Sequence, residues 1–239
     1  MSNITVWVLY AVAAVLFVFF IRERLKRCTL KCVFLKTAVS LVFVSVAVLV
    51  FFSEDLTGLS GVMAVLITVG LVSGLTGDIW LDLKFVFPDK DSAFTMAGFI
   101  CFGVEHILII IGILVRFGQG MHPILIVLAF GISTGVSLTN LSFEKKFGYN
   151  YDNMKGAVAG YGIVIFSMLL TTGFLNLYTQ KFVPALVLMF TGAILFVFSD
   201  MILSGNYFKK GRNRSIDILL IHLSYYPAQF LIATSLVFL

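Results

Sequence analysis

Eight apolar segments, joined by short polar loops, are the feature that most limits how this chain can fold. A helix needs about 20 mostly apolar residues to cross the hydrocarbon core of a bilayer. Helices are expected there because they satisfy their own peptide hydrogen bonds in the absence of water. The sequence therefore predicts an all-α, polytopic membrane bundle of eight transmembrane helices. The segments run Ile4 to Ile21, Val33 to Phe52, Val62 to Trp80, Phe94 to Val115, Pro123 to Leu138, Gly156 to Leu177, Val183 to Leu203 and Ile216 to Leu239.

The composition agrees with a membrane protein and excludes an ordinary soluble domain. Hydrophobic residues make up 60% of the chain and charged residues 12%, whereas soluble domains carry about 25% charged residues. The loops leave no room for a separate soluble domain, so residues 1–239 are predicted to form one transmembrane helical domain. The N-terminal segment lacks a basic start and a small-residue cleavage site. We therefore expect it to stay as the first span rather than to act as a signal peptide.

The fifth segment is the shortest of the eight, and its C-terminal part is polar. Ser133, Thr134, Ser137 and Thr139 all fall near its end. Because polar groups in hydrocarbon need partners, we expect this helix to tilt little or to pack against protein rather than lipid.

The distribution of Lys and Arg predicts the orientation. The four odd-numbered loops carry 14 of the 17 basic residues, the even-numbered loops and termini carry two, and Lys36 lies inside a span. By the positive-inside rule, both termini are predicted on the non-cytoplasmic side of what we expect to be a bacterial plasma membrane. Lipid phosphates are the anions available to these basic loops, so nucleic acid is not an expected partner.

The three cysteines indicate neither a disulfide framework nor a metal centre. Cys28 and Cys32 share a basic loop, and Cys101 lies inside a span. A structural zinc site needs four ligands, and no further Cys or His stands close to this pair in the sequence. We interpret the cysteines as ordinary small residues and predict no metal and no cofactor.

Ionisable side chains inside the spans are the candidates for function, because each costs about 2.5 to 3.5 kcal/mol on insertion scales. Lys36, Asp78 and Asp200 all lie near the span ends that are predicted to face the cytoplasm. Three of the further candidates share one face of the last span, because they follow helical spacing. The further candidates are His106, Tyr161, Ser199, His222, Tyr225, Tyr226 and Gln229.

Simpler roles explain these residues one at a time. Asp78 and Asp200 fit interfacial carboxylates paired with loop cations, and Lys36 fits a side chain that reaches toward the headgroups. The histidines fit structural hydrogen-bonding roles. Two carboxylates and a lysine at one depth nevertheless favour a functional cluster. The acidic residues interpreted as ordinary loop or helix-end charges are Asp82, Asp89, Asp91 and Asp217.

Four sequence blocks follow one another along the chain: SGLTGDIWLD, AGFICFGVEHILII, TGAILFVFSDMIL and SYYPAQFLIATSL. With the weaker matches FLKTAVSLVFV and GYGIVIFSML, they resemble the YhhN-like family of integral membrane proteins. Two positions depart from the family pattern. Thr37 stands where a proline usually follows the lysine, and Glu105 stands where a small residue is expected before the histidine. We expect the extra acid to influence the protonation of His106 or the choice of substrate.

The resemblance implies a lysoplasmalogenase, a membrane hydrolase that cleaves the vinyl-ether bond of an alkenyl-glycerophosphoethanolamine or alkenyl-glycerophosphocholine. Its products are a fatty aldehyde and a glycerophospho-alcohol. Asp78 and Asp200 match the acidic motifs and are the expected catalytic pair, one carboxyl group serving as acid and the other as anion. The lysophospholipid substrate is expected to enter from the cytoplasmic leaflet among other membrane lipids. We expect Lys36, with Arg212 or Arg214, to bind its phosphate.

Two other function classes fit parts of the pattern. A metal-dependent lipid hydrolase or amidase takes three protein ligands, and only His106 and His222 are predicted inside the bundle, which leaves a site of two histidines and one aspartate. A transporter or a noncatalytic lipid-binding protein would also bury charges. However, Pro227 is the only mid-span proline, and the two halves show none of the self-similarity of many transporters.

Overall fold

The computed structural model describes residues 3–54, 56–209 and 214–239. Within these ranges eight helices are long and apolar enough to cross a membrane, which confirms the predicted all-α bundle. The third helix runs past the predicted end at Trp80 and so takes in Asp82 and Lys84. The helices are α1 (Asn3–Lys26), α2 (Leu30–Ser53), α3 (Gly58–Val86), α4 (Asp91–Phe117), α5 (Pro123–Ser142), α6 (Lys155–Thr179), α7 (Pro184–Phe208) and α8 (Ser215–Ser235).

Proline and glycine explain several of the helix ends. Pro123 and Pro184 occupy the first turns of α5 and α7, where the fixed φ of proline suits a helix start and its missing N–H is not needed. Pro88 closely follows the end of α3, because the residue before a proline is disfavoured in a helical conformation. Gly58 begins α3 with a φ of +57°, a left-handed conformation that glycine adopts without a steric cost.

Close approaches between helices shape the interior. α3 and α4 meet at Gly70, where an added Cβ would lie 3.2 Å from the carbonyl oxygen of Glu105. α7 and α8 meet at Gly192, where an added Cβ would lie 3.1 Å from the carbonyl oxygen of Ala228. Small residues allow membrane helices to pack this closely. The polar stretches of α3, α7 and α8 are thereby brought around one interior space.

Of the two alternatives expected for α5, packing against protein rather than lipid holds only on the side that contacts α6, and little tilt stays a prediction. Its buried residues are only Ala129, Ser133 and Ser137, and most of the helix is exposed at the periphery of the bundle. The reason is local, because the hydroxyl groups of Ser133 and Thr134 each donate to the carbonyl four residues earlier, at 2.7 Å. Hydroxyl groups bonded in this way need no partner from another helix.

The loop between α5 and α6 is tied to the end of α7. Glu144 accepts the Lys155 ammonium at 2.7 Å and the backbone N–H of Tyr151 at 3.0 Å. These two donors hold the pKa of the Glu144 carboxyl below its usual range. An isolated antiparallel bridge then joins Tyr149 to Lys209, directly after α7. The loop is held in this way beside the opening of the interior cavity.

Candidate active site

The bundle surrounds a cavity of about 570 Å³. The exposed residues Pro88, Asp91 and Asn140 line its outer part, at helix ends that join odd-numbered loops. The cavity therefore opens at the end of the bundle that carries the basic loops, which is the end predicted to face the cytoplasm. Its wall includes seven of the ten predicted site residues, namely Lys36, Asp78, Tyr161, Ser199, Asp200, His222 and Tyr225.

Asp78 of α3 is buried and has three polar partners. Lys36 Nζ of α2 lies 3.1 Å from its Oδ1, and the hydroxyl groups of Ser40 and Tyr225 each donate to its Oδ2 at 2.6 Å. The amide of Gln229 donates in turn to the Tyr225 hydroxyl at 3.2 Å. Hydrogen bonds from a cation and two hydroxyl groups stabilise an ionised carboxylate.

Asp82 belongs to the same cluster, and its interpretation as an ordinary helix-end charge is wrong. It is 2% exposed, and its Oδ1 lies 3.2 Å from Lys36 Nζ. Four residues of helix place it one turn beyond Asp78 on the same face of α3. For Asp217 the interpretation as a helix-end charge is confirmed, because this residue lies in the first turn of α8 and pairs with the exposed Arg214 at 2.9 Å.

Asp200 of α7 has neutral neighbours. The Tyr161 hydroxyl of α6 donates to its Oδ2, and His106 Nε2 of α4 lies 3.2 Å from that hydroxyl oxygen. No cation of the described ranges forms an ion pair with Asp200. Because Tyr161 donates to Asp200, His106 donates to Tyr161 through Nε2, and its Nδ1 is left as an acceptor. This Nδ1 is buried and unpaired in the described structure.

The two aspartates line the same cavity. Their presence on one cavity wall agrees with the expected functional cluster of side chains from α3 and α7. Their catalytic roles stay a prediction. The two carboxyl groups differ in what surrounds them. Asp78 lies in a charged cluster, and Asp200 ends an uncharged chain of side chains.

The other predicted residues connect the helices around the cavity. The Ser199 hydroxyl of α7 donates to the carbonyl of Ile221 in α8 at 3.0 Å. His222 Nδ1 lies 2.8 Å from a carbonyl of its own helix. The Tyr226 hydroxyl donates to the backbone carbonyl of Lys36 at 3.3 Å and so helps to hold the lysine in place. The predicted residues that lie behind the cavity wall are His106, Tyr226 and Gln229.

Glu105 fills the contact between α4 and α3. It is 0% exposed, and a Cβ added to Gly74 would lie 2.6 Å from its carboxyl carbon. Gln229 is its polar neighbour, yet neither carboxyl oxygen has a well-formed hydrogen bond within the described residues. A buried carboxyl group without a cation or a donor is most stable in its neutral form. Glu105 therefore occupies a packing position behind the cavity wall, and its expected influence on His106 or on substrate choice stays a prediction.

The structure corrects the expected phosphate site. Lys36 lies between Asp78 and Asp82, so its charge is already balanced by two carboxylates. Arg214 pairs with an acidic residue of α8 and does not line the cavity. Arg212 lies outside the described residues. Neither described member of the expected set is therefore placed to bind a phosphate.

One cluster in the described ranges brings three potential metal ligands together. The ligand atoms of Cys28, Cys32 and Asp82 all lie within 4.8 Å of one another, a grouping that the interpretation of the cysteines as ordinary small residues missed. It includes neither His106 nor His222, so the alternative site of two histidines and one aspartate is not formed. The lysine ammonium on the Asp82 carboxylate also opposes a second cation at this position.

Three residues near the cavity were not singled out from the sequence. Ser40 follows Lys36 by four residues, so helical spacing alone could have placed it on the same face. Asp82 follows Asp78 with the same spacing. Arg24 carried no such signal, because its partner is the ring of Phe85 in α3, whose centroid lies 4.0 Å from the guanidinium carbon.

A comparison with family models places most of the chain in one family. The model of the YhhN family matches residues 32–236, which include every predicted site residue from Lys36 to Gln229 and leave out α1. Comparisons with curated proteins and with solved structures give no match. Because the matched region covers most of the chain and contains the whole predicted site, the protein belongs to the YhhN family.

Proposed function

We propose that the protein hydrolyses the vinyl-ether bond of a lysoplasmalogen within the membrane. One observation supports this above the others: two buried carboxyl groups line one cavity in contrasting electrostatic settings. Asp78 is paired with Lys36, whereas the hydrogen-bond partner of Asp200 is the neutral Tyr161. Such a pair suits a reaction that needs an acid and a fixed anion at the same time.

Vinyl-ether hydrolysis has these two requirements. Protonation of the outer alkenyl carbon uses the electron pair of the double bond to form a C–H bond. The positive charge left behind is shared by the ether oxygen and the carbon next to it. Water then adds to that carbon to give a hemiacetal, which breaks into an aldehyde and an alcohol. A proton donor therefore speeds the first step, and a nearby anion stabilises the cation.

In the proposed mechanism Asp200 is the acid and Asp78 the anion. A buried carboxyl group that contacts no cation is more stable with its proton, which suits Asp200 for donation to the alkenyl carbon. Asp78 stays ionised beside Lys36 and faces the developing cation across the cavity. Positioned general acids typically contribute about 10²- to 10⁴-fold in rate.

The second half of the reaction restores the acid. The water that adds to the oxocarbenium carbon loses a proton to the Asp200 carboxylate. Collapse of the hemiacetal moves its hydroxyl proton to the departing glycerol oxygen as the C–O bond breaks. Tyr161 holds Asp200 in place through its hydroxyl group, and His106 acts as a positioning residue through Tyr161.

The shape and lining of the cavity suit an amphiphile. Its volume of about 570 Å³ lies within the range of small-molecule sites, which hold about 300 to 1,000 Å³. Apolar side chains such as Phe99, Phe102 and Phe166 line it together with the carboxyl groups. An alkenyl chain would contact the apolar part while the headgroup remains at the polar mouth.

Substrate consumption by the purified protein tests the proposal. Alkenyl-, alkyl- and acyl-lysophospholipids of equal chain length are incubated in detergent micelles, and any aldehyde is trapped as a hydrazone for mass spectrometry. We expect aldehyde from the alkenyl lipid only. In D₂O, carbon protonation should place one deuterium on the carbon next to the aldehyde group. Release of fatty acid, or aldehyde without this deuterium, would contradict the mechanism.

A further inference from the structure

The cavity wall contains one cation of the described ranges that no carboxylate neutralises directly. The wall has three cationic side chains, those of Arg24, Lys36 and Lys84. Lys36 is paired with two aspartates, and Lys84 Nζ lies 3.1 Å from Asp91 Oδ1. Arg24 forms no ion pair with any described carboxylate. Asp82, which is paired with Lys36, lies within electrostatic range of the Arg24 guanidinium but does not contact it, so the donors of the guanidinium group remain available to an anion that enters the cavity.

The guanidinium group of Arg24 is held in a fixed position. Its carbon lies 4.0 Å from the centroid of the Phe85 ring, and its Nε is buried without a hydrogen-bond partner in the described structure. Stacking on an aromatic face leaves the donors at the edge of a guanidinium group available. Arginine presents these donors as a planar fork that matches two oxygens of a phosphate group.

The depth of Arg24 matches the length of the proposed substrate. Phe85 follows Asp78 by seven residues on α3, and Tyr207 follows Asp200 by seven residues on α7. The rings of Phe85 and Tyr207 are neighbours, with centroids 6.5 Å apart. Both helices therefore descend about 10 Å from the carboxyl groups to the level of Arg24. In a lysoplasmalogen, the phosphorus lies about 9 Å from the carbon that is protonated, over seven extended bonds.

We propose that Arg24 binds the phosphodiester of the substrate headgroup at the mouth of the cavity. This inference rests on the proposed function, and it replaces Lys36 and Arg214 in the role expected from the sequence. Arg24 precedes the region matched by the family model, so this contact belongs to α1 of this chain. With its phosphate on Arg24, a lysoplasmalogen places its vinyl-ether carbons between Asp78 and Asp200.

The test compares two substrates that differ only in the phosphate. The kinetics of aldehyde release are measured for an alkenyl-lysophospholipid and for the matching 1-alkenylglycerol, using the wild-type protein and Arg24→Gln. We expect Arg24→Gln to raise KM for the phospholipid about ten- to hundredfold, as for loss of a charge-assisted bidentate contact, with kcat within threefold. KM for the alkenylglycerol should stay within twofold. An unchanged KM for the phospholipid, or an equal rise for both substrates, would overturn the proposal.

Two variants control for charge and folding. Arg22→Gln removes an equal charge from an exposed position on the same helix, and we expect both KM values to stay within twofold. Arg24→Lys keeps the charge but loses the planar fork, and it should recover only part of the wild-type affinity. A shift in the phospholipid KM from Arg22→Gln as large as that from Arg24→Gln would assign the effect to membrane surface charge and overturn the site.

Binding measurements separate failure of this inference from failure of the proposed function. A non-hydrolysable alkyl-lysophospholipid is titrated into wild-type protein and Arg24→Gln, which tests the phosphate contact even if no lipid is cleaved. We expect at least tenfold weaker binding to the variant, and equal binding would overturn the site. Soluble glycerophosphoethanolamine should compete with the lipid on the wild type only. Equal competition by inorganic phosphate would assign the site to free phosphate and overturn the headgroup assignment.

Discussion

The two sides of the cavity bury a carboxyl group by different means. On the side formed by α2, α3 and α8, Asp78 lies against the Lys36 ammonium and two hydroxyl groups. On the side formed by α4, α6 and α7, Asp200 accepts a hydrogen bond from one tyrosine hydroxyl, which is itself hydrogen-bonded to a histidine. The comparison teaches that two residues of the same type and similar depth are given different electrostatic surroundings by helices other than their own.

Removing each carboxyl group is the strongest test of the difference between the two sides of the cavity. We expect Asp200→Asn to lower kcat for aldehyde release about 10²- to 10⁴-fold, because the proton donor is lost. Its thermal stability should change little, since an amide replaces a neutral acid of the same shape.

Asp78→Asn should also abolish turnover and should lower the thermal stability, because it removes half of the charge that balances Lys36.

Asp89→Asn is the matched control for both variants, because this aspartate is exposed outside the cavity. Its turnover and melting temperature should match those of the wild type. Near-native turnover by either cavity variant would rule out the division of acid and anion between the two sides.

Loss of the lysine tests the charged side alone. Lys36→Met should lower the free energy of unfolding by about 3 to 5 kcal/mol, because it leaves two buried carboxylates without their cation. Denaturation in detergent, followed by circular dichroism, measures this change. Lys31→Met serves as the control, since that side chain is 69% exposed and surface pairs contribute about 0 to 1 kcal/mol. Equal effects of the two substitutions would contradict the charged cluster.

Paired tyrosine variants sharpen the contrast between the sides. Tyr161→Phe removes the hydroxyl that joins His106 to Asp200, and we expect kcat to fall about tenfold with a small change in stability, as for loss of one hydrogen bond. Tyr225→Phe removes a donor to the ionised Asp78, so it should cost about 1.5 to 3 kcal/mol of stability.

The exposed Tyr178 supplies the control for the tyrosine pair, because its hydroxyl makes only a long contact of 3.5 Å. Tyr178→Phe should leave both kcat and the melting temperature unchanged. If Tyr161→Phe instead destabilised the protein as much as Tyr225→Phe, the two sides would not differ in the way described.

The smallest effect is expected at the third buried acid. Glu105→Gln should keep turnover within twofold and stability within about 1 kcal/mol, because the amide has the shape of a neutral carboxyl group and avoids a buried charge. Infrared spectra of the wild type should show carbonyl bands from two carboxylic acids, those of Glu105 and the protonated Asp200, and the variant should lose only the band of Glu105. Loss of turnover in Glu105→Gln would indicate that this acid takes part in catalysis together with Asp78 and Asp200.

The fold was predictable from hydropathy because each span must be apolar over about 20 residues. Hydropathy was a poorer guide to what happens at the ends of the spans. It ended the third span at Trp80, so the next turn of α3 and its buried Asp82 were taken for part of a loop. It also treated the hydroxyl groups of α5 as needing partners from other helices, although those of Ser133 and Thr134 bond to carbonyls of their own helix.

The site was predictable only in part. Asp78 and Asp200 stood out because an acid inside a span is costly, and the structure places both on one cavity. Their partners follow from contacts between helices, which spacing along one helix does not contain. Lys36 was expected at a phosphate for this reason, and Arg24 was missed because its place depends on a side-chain contact from α1 to Phe85 of α3.

The contact between Gly74 and Glu105 couples the substitutions that are tolerated at two positions distant in the sequence. The glutamate carboxyl group occupies the volume that any larger residue at position 74 would need. A larger side chain at position 74 therefore requires the end of the Glu105 side chain to move within the contact between α3 and α4. In a protein with a small residue at position 105, the same substitution would require no such movement.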